Sequence, residues 1–228
     1  MICLSVGKPS IETLRALAEE ETSRLVEIRL DGIDTPLTSE AVKQLFELPL
    51  TSIATCRVTK NRNEEQRKNV LLDAIKAGAN YVDVEIEADD KFKQDIMIEA
   101  HRHQCKMIIS YHNFQDTPGR SQLKRIVEDC FAQGADIAKV ACRVHSEADS
   151  ANLLSLYSQR FAKEPDTHRR GSAILALGMG EKGKVTRIAA PLLGSPFTFA
   201  SAGGGEETAP GQLDEKSLKE IYRLIGVQ

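Results

Sequence analysis

Residues 105–142 read CKMIISYHNFQDTPGRSQLKRIVEDCFAQGADIAKVAC and contain one complete strand–helix–strand unit. The pattern predicts a strand over Cys105–Tyr111, a helix over Gly119–Gln133 and a second strand over Ala135–Cys142. Gly134 follows the helix, where glycine commonly adopts the left-handed conformation that ends a helix. Two strands joined by a helix in this way are expected to lie parallel in one sheet, with the helix covering a face.

The same alternation continues in both directions from this unit. The other strands are predicted over Ile2–Val6, Leu25–Leu30, Thr51–Val58, Asn80–Ile86, Ser172–Leu177 and Phe197–Ser201. The other helices are predicted over Ser10–Thr22, Thr38–Leu48, Asn63–Ala77, Lys91–His103, Ser146–Phe161, Lys184–Leu193 and Asp214–Ile225. Eight uninterrupted strand–helix units predict an α/β protein of the single (β/α)8 TIM-barrel class. An open doubly wound sheet is the alternative, but no GxGxxG loop follows the first strand, which counts against it.

Length and composition are those of one ordinary globular domain covering residues 1–228. The chain has 228 residues, 41% hydrophobic and 28% charged, with a formal net charge of −3, and a single barrel commonly needs about 250 residues. A slightly acidic chain is a poor match for nucleic acid or an anionic membrane surface. The five cysteines are scattered without a CxxC pair, which favours reduced thiols over disulfides or zinc. With no signal peptide or membrane span recognisable, we expect a cytoplasmic protein.

Strand alternation places charged side chains inside the predicted barrel. In the second strand, Val26 and Ile28 belong to the face that meets the helices, so their neighbours point inward. The inward residues are Glu27, Arg29, Asp31, Asp83 and Glu85, while Thr55 and Arg57 share one face of the third strand. Internal ion pairs such as Glu27 with Arg57 are one explanation. A core that served stability alone would use Val, Ile and Leu there, so the set as a whole favours a functional site.

Lys139 is the most informative single residue. It lies in the middle of the predicted sixth strand, with no charged residue within two positions on either side. Burial there disfavours the ammonium form, and a neutral amine can attack a carbonyl to form an imine. The alternative is that Lys139 only neutralises Glu85 or another interior carboxylate.

His112 ends the predicted fifth strand, next to the strand that carries Lys139. Histidine can take up and return a proton near neutral pH, which suits a proton shuttle beside a Schiff-base lysine. The other histidines fall on predicted helices or loops: His101, His103, His145 and His168. They form no convincing metal pair, and we predict no metal site. Arg187 follows the predicted seventh strand, where a guanidinium can hold a carboxylate with two hydrogen bonds; the alternative is a solvated arginine at the start of a helix.

The loop at residues 202–212 reads AGGGEETAPGQ and follows the predicted eighth strand. Active sites of (β/α)8 barrels lie on this side, because the loops after the strands build them. Its glycines make the loop flexible, so we interpret it as an active-site lid rather than a passive connector.

Taken together, these segments resemble the type I 3-dehydroquinase family. The segments that carry the resemblance, in order along nearly the whole chain, are Glu27–Asp31, Tyr81–Glu85, Ser110–Phe114, Ala138–Ala141, Met179–Gly180, Thr186–Ile188, Gly194–Pro196 and Ala209–Gln212. Each is a weak signal alone, whereas the ordered set is specific. The sequence departs from the family at Thr208, where serine is usual, and at Asn113, where aspartate is common.

The resemblance implies a homodimeric (β/α)8 enzyme of the shikimate pathway that dehydrates 3-dehydroquinate and needs no metal or organic cofactor. It implies that Lys139 forms the imine, that His112 is the general acid and base, and that Glu85 orients His112. Residues implied to contact the substrate are Ser5, Glu27, Arg29, Arg57, Arg187, Thr208 and Gln212. Two alternatives stay open: a class I Schiff-base aldolase, and a barrel that binds a small acid without turning it over.

Overall fold

The computed structural model describes residues 1–21, 24–158, 173–202 and 207–226. Its strands are β1 Ile2–Val6, β2 Leu25–Arg29, β3 Thr51–Thr55, β4 Tyr81–Glu85, β5 Lys106–Asn113, β6 Ile137–Arg143, β7 Ala173–Met179 and β8 Thr198–Ser201. Its helices are α1 Ile11–Glu20, α2 Ser39–Phe46, α3 Glu64–Lys76, α4 Asp90–Arg102, α5 Arg120–Ala132, α6 Glu147–Ser158, α7 Lys184–Leu192 and α8 Glu215–Leu224.

The strands form one parallel eight-stranded sheet in the order β7-β6-β5-β4-β3-β2-β1-β8. This is the sequence order with β8 placed next to β1, as a (β/α)8 barrel requires. The register between β2 and β3 pairs Glu27 with Ile53 and Arg29 with Thr55. The register between β6 and β7 pairs Lys139 with Leu175. The predicted (β/α)8 fold class is therefore confirmed.

Side-chain caps explain where most of the helices begin. Oxygens of Ser10, Thr38, Asn63, Asp89 and Asp214 each accept a hydrogen bond from a backbone N–H in the first turn of the helix that follows. Such caps satisfy donors that have no partner within the helix, at about 1 kcal/mol each. Because each of these short polar residues directly precedes an amphipathic run, the starts of these helices could be predicted from the sequence.

The chain forms two compact units, an N-terminal unit of Ser5–Ile108 and a C-terminal unit of Ile109–Gln228 with Met1–Leu4. The core of the N-terminal unit consists of fully buried aliphatic residues from β2, β3, β4 and the helices over them: Val26, Ile28, Ile53, Val82, Val84, Leu71, Ile75 and Ile96. Both faces of β2 are buried, because Glu27 is only 4% exposed. Burial on both faces is typical of parallel strands covered by helices.

The C-terminal unit packs β6, β7 and β8 against α5, α6 and α7. Its fully buried residues include Ala138, Val140, Leu175, Leu123 and Leu153. Tyr157 of α6 anchors that helix, since its hydroxyl accepts from the backbone N–H of Ala176 at 2.8 Å and lies 3.2 Å from the carbonyl oxygen of the same residue.

Some predicted boundaries were wrong, and long-range contacts explain why. β3 ends at Thr55 instead of Val58, because the backbone N–H of Arg57 donates to Asp31 rather than to a neighbouring strand. β2 ends at Arg29 because Leu30–Gly32 form a short 3-10 helix.

Two strands run further than predicted: β5 continues through His112 to Asn113, and β7 continues to Met179. The predicted positions 159–161, Ser172 and His168 lie outside the described residues.

The five cysteines are buried free thiols. Burial raises the pKa of Cys56 to about 11 and that of Cys142 to about 12, so both are poor nucleophiles near neutral pH. Within the described residues, no helix has the length and apolar character needed to cross a membrane.

Candidate active site

Glu27 is a buried carboxylate at the centre of the polar interior of the N-terminal unit. Ser5 donates its hydroxyl to Oε2 of Glu27 at 2.5 Å, and Thr55 donates to Oε1 at 3.0 Å. Ser5, Glu27 and Thr55 are 1%, 4% and 0% exposed. The structure thus brings two predicted site residues, Ser5 and Glu27, into direct contact. It adds Thr55, which the sequence placed on the inward face without a role.

Arg29 and Asp31 form a two-pronged ion pair at the end of β2. Nε and Nη2 of Arg29 lie 3.0 and 2.7 Å from the two carboxylate oxygens of Asp31. Although burial opposes charge on both groups, the hydrogen bonds outweigh it, raising the pKa of Arg29 and lowering the pKa of Asp31. The guanidinium is therefore fixed in direction before any ligand arrives.

Arg57 lies just after β3 and bridges two acidic residues of β4. Its Nη2 is 2.8 Å from Asp83 and its Nη1 is 3.4 Å from Glu85. Burial alone would lower the pKa of Arg57, but the nearby carboxylates of Asp83, Glu85 and Glu27 raise it instead. The ion pairs that Arg57 forms are with Asp83 and Glu85. Glu27, considered as a partner of Arg57 in the sequence, acts on it through its charge.

Glu85 also has a partner that the sequence reasoning missed. Nη2 of Arg67, on α3, lies 2.6 Å from Oε2 of Glu85. In the sequence, Arg67 resembles the solvent-exposed cations that are common on amphipathic helices, so its burial was not predicted. In the structure it is 3% exposed. The cations measured beside Glu85 are therefore Arg57 and Arg67, both within the N-terminal unit.

Lys139 is buried in the middle of β6, as predicted, with 5% of its surface exposed. Its Nζ lies 4.4 Å from the centroid of the Phe199 ring on β8. Phe199 in turn packs edge-on against Phe197 at 5.5 Å between centroids. An amine against an aromatic wall is shielded from bulk water, and such shielding favours condensation with a carbonyl. Phe199 is a second residue that sequence reasoning missed, since aromatic residues in strands are usually core.

His112 lies within β5 and is partly exposed. Its ring lies nearly parallel to the exposed ring of Phe114, with centroids 6.2 Å apart. Of the other histidines, His103 has its Nε2 3.3 Å from Glu99, and His145 has its Nε2 2.7 Å from the carbonyl oxygen of Gln115. Across residues 1–21, 24–158, 173–202 and 207–226, no cluster of three metal-ligating side chains occurs.

Arg187, on α7, is buried and 2% exposed, so the alternative of a solvated arginine was wrong. Its Nε donates to the carbonyl oxygen of Gly178 at 3.1 Å. Burial lowers the pKa of Arg187 to about 10, and the charge of Glu207 opposes that shift. No carboxylate of the described residues lies within 4 Å of Arg187, and its Nε is held by the carbonyl oxygen of Gly178.

Residues 207–212 of the predicted lid are attached to the end of β7. The backbone N–H of Gly180 donates to the carbonyl oxygen of Pro210 at 2.9 Å. Gly211 has φ +74°, and a Cβ there would lie 2.5 Å from the backbone oxygen of Gly180. Gln212 is buried, and its side-chain oxygen accepts from the N–H and the hydroxyl of Thr208, each at 3.0 Å. Residues 203–206 of the predicted lid lie outside the described residues.

Comparison with known proteins assigns the chain to a family. The family model for type I 3-dehydroquinase matches residues 2–228. The chain belongs to the type I 3-dehydroquinase family. It is 36% identical to the 3-dehydroquinate dehydratase of Methanocaldococcus jannaschii, covering 100% of both chains. It is 35% identical to that of Dehalococcoides mccartyi, covering 98% of this chain and 94% of the relative.

Solved structures of the same family share the fold. The 3-dehydroquinate dehydratase of Geobacillus kaustophilus superposes with a TM-score of 0.83 at 21% identity, covering 99% of this chain and 90% of that one. The type I enzyme from Clostridium difficile gives 0.82 at 23% identity, covering 98% and 91%. The resemblance inferred from eight short segments is confirmed, and type I 3-dehydroquinase membership counts against the class I aldolase alternative.

Proposed function

We propose that this type I 3-dehydroquinase family member dehydrates 3-dehydroquinate to 3-dehydroshikimate in the shikimate pathway, with Lys139 as the imine-forming nucleophile. The observation that carries the proposal is the buried amine of Lys139, 4.4 Å from the Phe199 ring. The same unit holds the buried guanidinium of Arg187, which has no carboxylate of the described residues within 4 Å. A keto acid substrate requires an amine that reacts with its ketone and a cation that binds its carboxylate. Residues 1–228 would form one catalytic domain.

In the first step, the neutral amine of Lys139 attacks the C3 ketone of the substrate. His112 transfers protons as the carbinolamine loses one water and becomes an iminium ion. The positive iminium withdraws electrons from C2, so the proton on C2 becomes acidic. No metal or organic cofactor is required, because the iminium itself serves as the electron sink.

In the second step, His112 removes the C2 proton and an enamine forms. The enamine expels the C1 hydroxyl, which receives a proton from His112 and leaves as water. A water molecule then hydrolyses the remaining iminium, releasing 3-dehydroshikimate and the free amine of Lys139. The water lost on imine formation balances the water used in hydrolysis, so the net reaction releases one water. Glu85 is proposed to orient His112 during these transfers.

The remaining predicted site residues are proposed to bind and align the substrate. Arg187 would hold the carboxylate with two hydrogen bonds. The hydroxyl contacts would come from Ser5, Glu27, Arg29, Arg57, Thr208 and Gln212. Residues 202–212 would act as the lid, with residues 207–212 supplying its attachment to β7. We also propose that the protein acts as a cytoplasmic homodimer, as the resemblance implies, with no role for nucleic acid or membrane.

The decisive experiment traps the imine. The protein is incubated with 3-dehydroquinate, reduced with sodium borohydride, and analysed by intact-mass and peptide-mapping mass spectrometry. We expect one stable adduct, located on Lys139, together with formation of 3-dehydroshikimate in an unreduced sample.

Two variants make the result specific. Lys139→Ala should abolish both adduct and turnover. Lys106→Ala is the matched control, because Lys106 also lies over an aromatic ring, with Nζ 5.8 Å from the centroid of Tyr81, but it is exposed; adduct and turnover should persist. A folded protein that binds substrate yet gives neither adduct nor product would instead support the non-catalytic binding barrel.

A further inference from the structure

We infer that Arg67 is a positioning residue for the reaction, acting through Glu85; this inference rests on the proposed function. Arg67 reaches the proposed site through Glu85, to which its Nη2 binds at 2.6 Å. It lies on the first turns of α3, a helix otherwise outside the proposed site, and is 3% exposed. Its buried charge is directed at the carboxylate of Glu85.

Arg67 is itself held on three sides. Its Nε donates to the carbonyl oxygen of Cys56 at 2.9 Å, and its guanidinium carbon lies 5.0 Å from the centroid of the Phe92 ring. Its backbone N–H donates to the carbonyl oxygen of Asn63, which caps the helix. A guanidinium restrained by helix, strand end and aromatic ring loses little freedom when it binds a carboxylate.

This restraint determines where the Glu85 carboxylate lies. Nη2 of Arg67 binds Oε2 at 2.6 Å, which leaves Oε1 at 3.4 Å from Nη1 of Arg57. The shorter contact is with Arg67, so Arg67 is the main anchor and Arg57 keeps its closer bond, 2.8 Å, to Asp83. Arg57 is then only loosely engaged by Glu85.

Loss of Arg67 would redistribute these contacts. Arg57 would face the carboxylates of both Asp83 and Glu85 without a second cation, and Glu85 would be free to move toward it. Both Arg57, a proposed substrate contact, and Glu85, the proposed partner of His112, would then leave their working geometry. Misplacement of about 1 Å can cost up to roughly a hundredfold in rate.

The test uses Arg67→Met and Arg67→Lys, each with and without Glu85→Gln, in steady-state dehydration assays. We expect Arg67→Met to lower kcat by roughly tenfold to a hundredfold, and Arg67→Lys to restore part of that loss, because it keeps the charge. In the Glu85→Gln background, Arg67→Met should add less than about twofold, since residues that act through one another are not additive.

The control is Lys68→Met on the same helix. Lys68 pairs with Glu65 at 3.0 Å and Asp95 at 3.2 Å, away from the proposed site, so kcat and KM should not change. An unchanged kcat in both Arg67 variants, or an equal loss with and without Glu85→Gln, would overturn the positioning role. Should Arg67→Met not fold, Arg67→Lys and its double variant decide the question. Absence of turnover and adduct in the wild type would overturn the proposed function instead.

Discussion

Replacing Arg187 by methionine should weaken substrate binding strongly while leaving the folded protein as stable as before. Methionine is similar in length to the aliphatic part of arginine, so most packing is retained. The variant removes a buried guanidinium that has no carboxylate of the described residues within 4 Å and whose Nε donates to the carbonyl oxygen of Gly178. A loss of binding without a loss of stability distinguishes a substrate contact from a residue that stabilises the fold.

The binding effect follows from the proposed clamp. Removing one partner of a buried, hydrogen-bonded charge pair costs about 2–5 kcal/mol, which corresponds to roughly 30-fold to 3,000-fold in affinity. We expect KM for 3-dehydroquinate to rise within that range. The fall in kcat should be smaller, because Arg187 is proposed to hold the carboxylate in both the ground and transition states.

The stability effect follows from the burial of the charge. Burial lowers the pKa of Arg187 to about 10, which corresponds to a cost of about 3 kcal/mol for the charged form, at 1.36 kcal/mol per pKa unit. A base whose pKa is lowered by folding destabilises the folded state at every pH where it is charged. Removing Arg187 relieves that cost but loses the bond to Gly178, worth about 1.5–3 kcal/mol. The two nearly cancel, so Tm should change by no more than about 2–4 °C.

The measurements are steady-state kinetics, product affinity by calorimetry, and Tm of the ligand-free protein. Arg125→Met is the matched control, because Nε of Arg125 also donates to a backbone carbonyl, that of Ser121, but Arg125 is exposed. An unchanged KM for Arg187→Met would remove it from the site. A fall in Tm of ten degrees or more would show that Arg187 stabilises the fold instead.

Three further changes test other parts of the site. His112→Ala should still give the borohydride adduct, slowly, while product release falls by roughly 10²–10⁴-fold; full-rate release would contradict the shuttle role. Gly211→Ala should lower activity and stability, because the new Cβ would lie 2.5 Å from the backbone oxygen of Gly180 and Gly211 has a φ of +74°. The control Gly119→Ala places nothing within 4 Å of the new atom, so it should change neither. Equal activity and equal Tm in the two variants would refute the loop attachment. The affinity of a carboxylate product analogue should fall as pH rises above about 10, because burial lowers the pKa of Arg187 to about 10. Calorimetry between pH 8 and 11 on the wild type and on Arg187→Met measures this, and the same pH profile in both proteins would show that Arg187 is not the group responsible.

Much of the fold could be predicted because local signals repeat along the chain. Strand alternation assigned Val26 and Ile28 to one face of β2 and Glu27 to the other. The structure buries Val26 and Ile28 completely and surrounds Glu27 with hydroxyls. Strand ends were less accurate, because contacts across 26 to 32 positions of sequence set them. The bonds from Arg57 to Asp31 and from Arg62 to the carbonyl oxygen of Leu30 are examples.

The burial of Arg187 is another feature that local sequence could not reveal. A short 3-10 helix, Glu181–Gly183, turns the chain from β7 into α7. Gly178 and Gly183 touch so closely that a Cβ on Gly178 would lie 2.7 Å from the Cα of Gly183. These two glycines permit the close approach of α7 to β7, in which Nε of Arg187 reaches the carbonyl oxygen of Gly178. An arginine at the start of a helix is usually solvated, so the sequence alone left the two alternatives balanced.

The arginines of this protein differ in a property that sequence does not encode, namely whether the fold supplies a counter-ion. Arg29, Arg57 and Arg67 each have a carboxylate within 2.8 Å, from Asp31, Asp83 and Glu85. A guanidinium that is already neutralised attracts an anion weakly, but it offers fixed donors to a neutral hydroxyl or holds a carboxylate in place. Arg187 has no carboxylate within 4 Å among the described residues, and only the more distant charge of Glu207 acts on it, so its guanidinium can still attract an anionic ligand. The division of labour proposed here, hydroxyl contacts from the paired arginines and carboxylate binding by Arg187, follows from that difference in pairing.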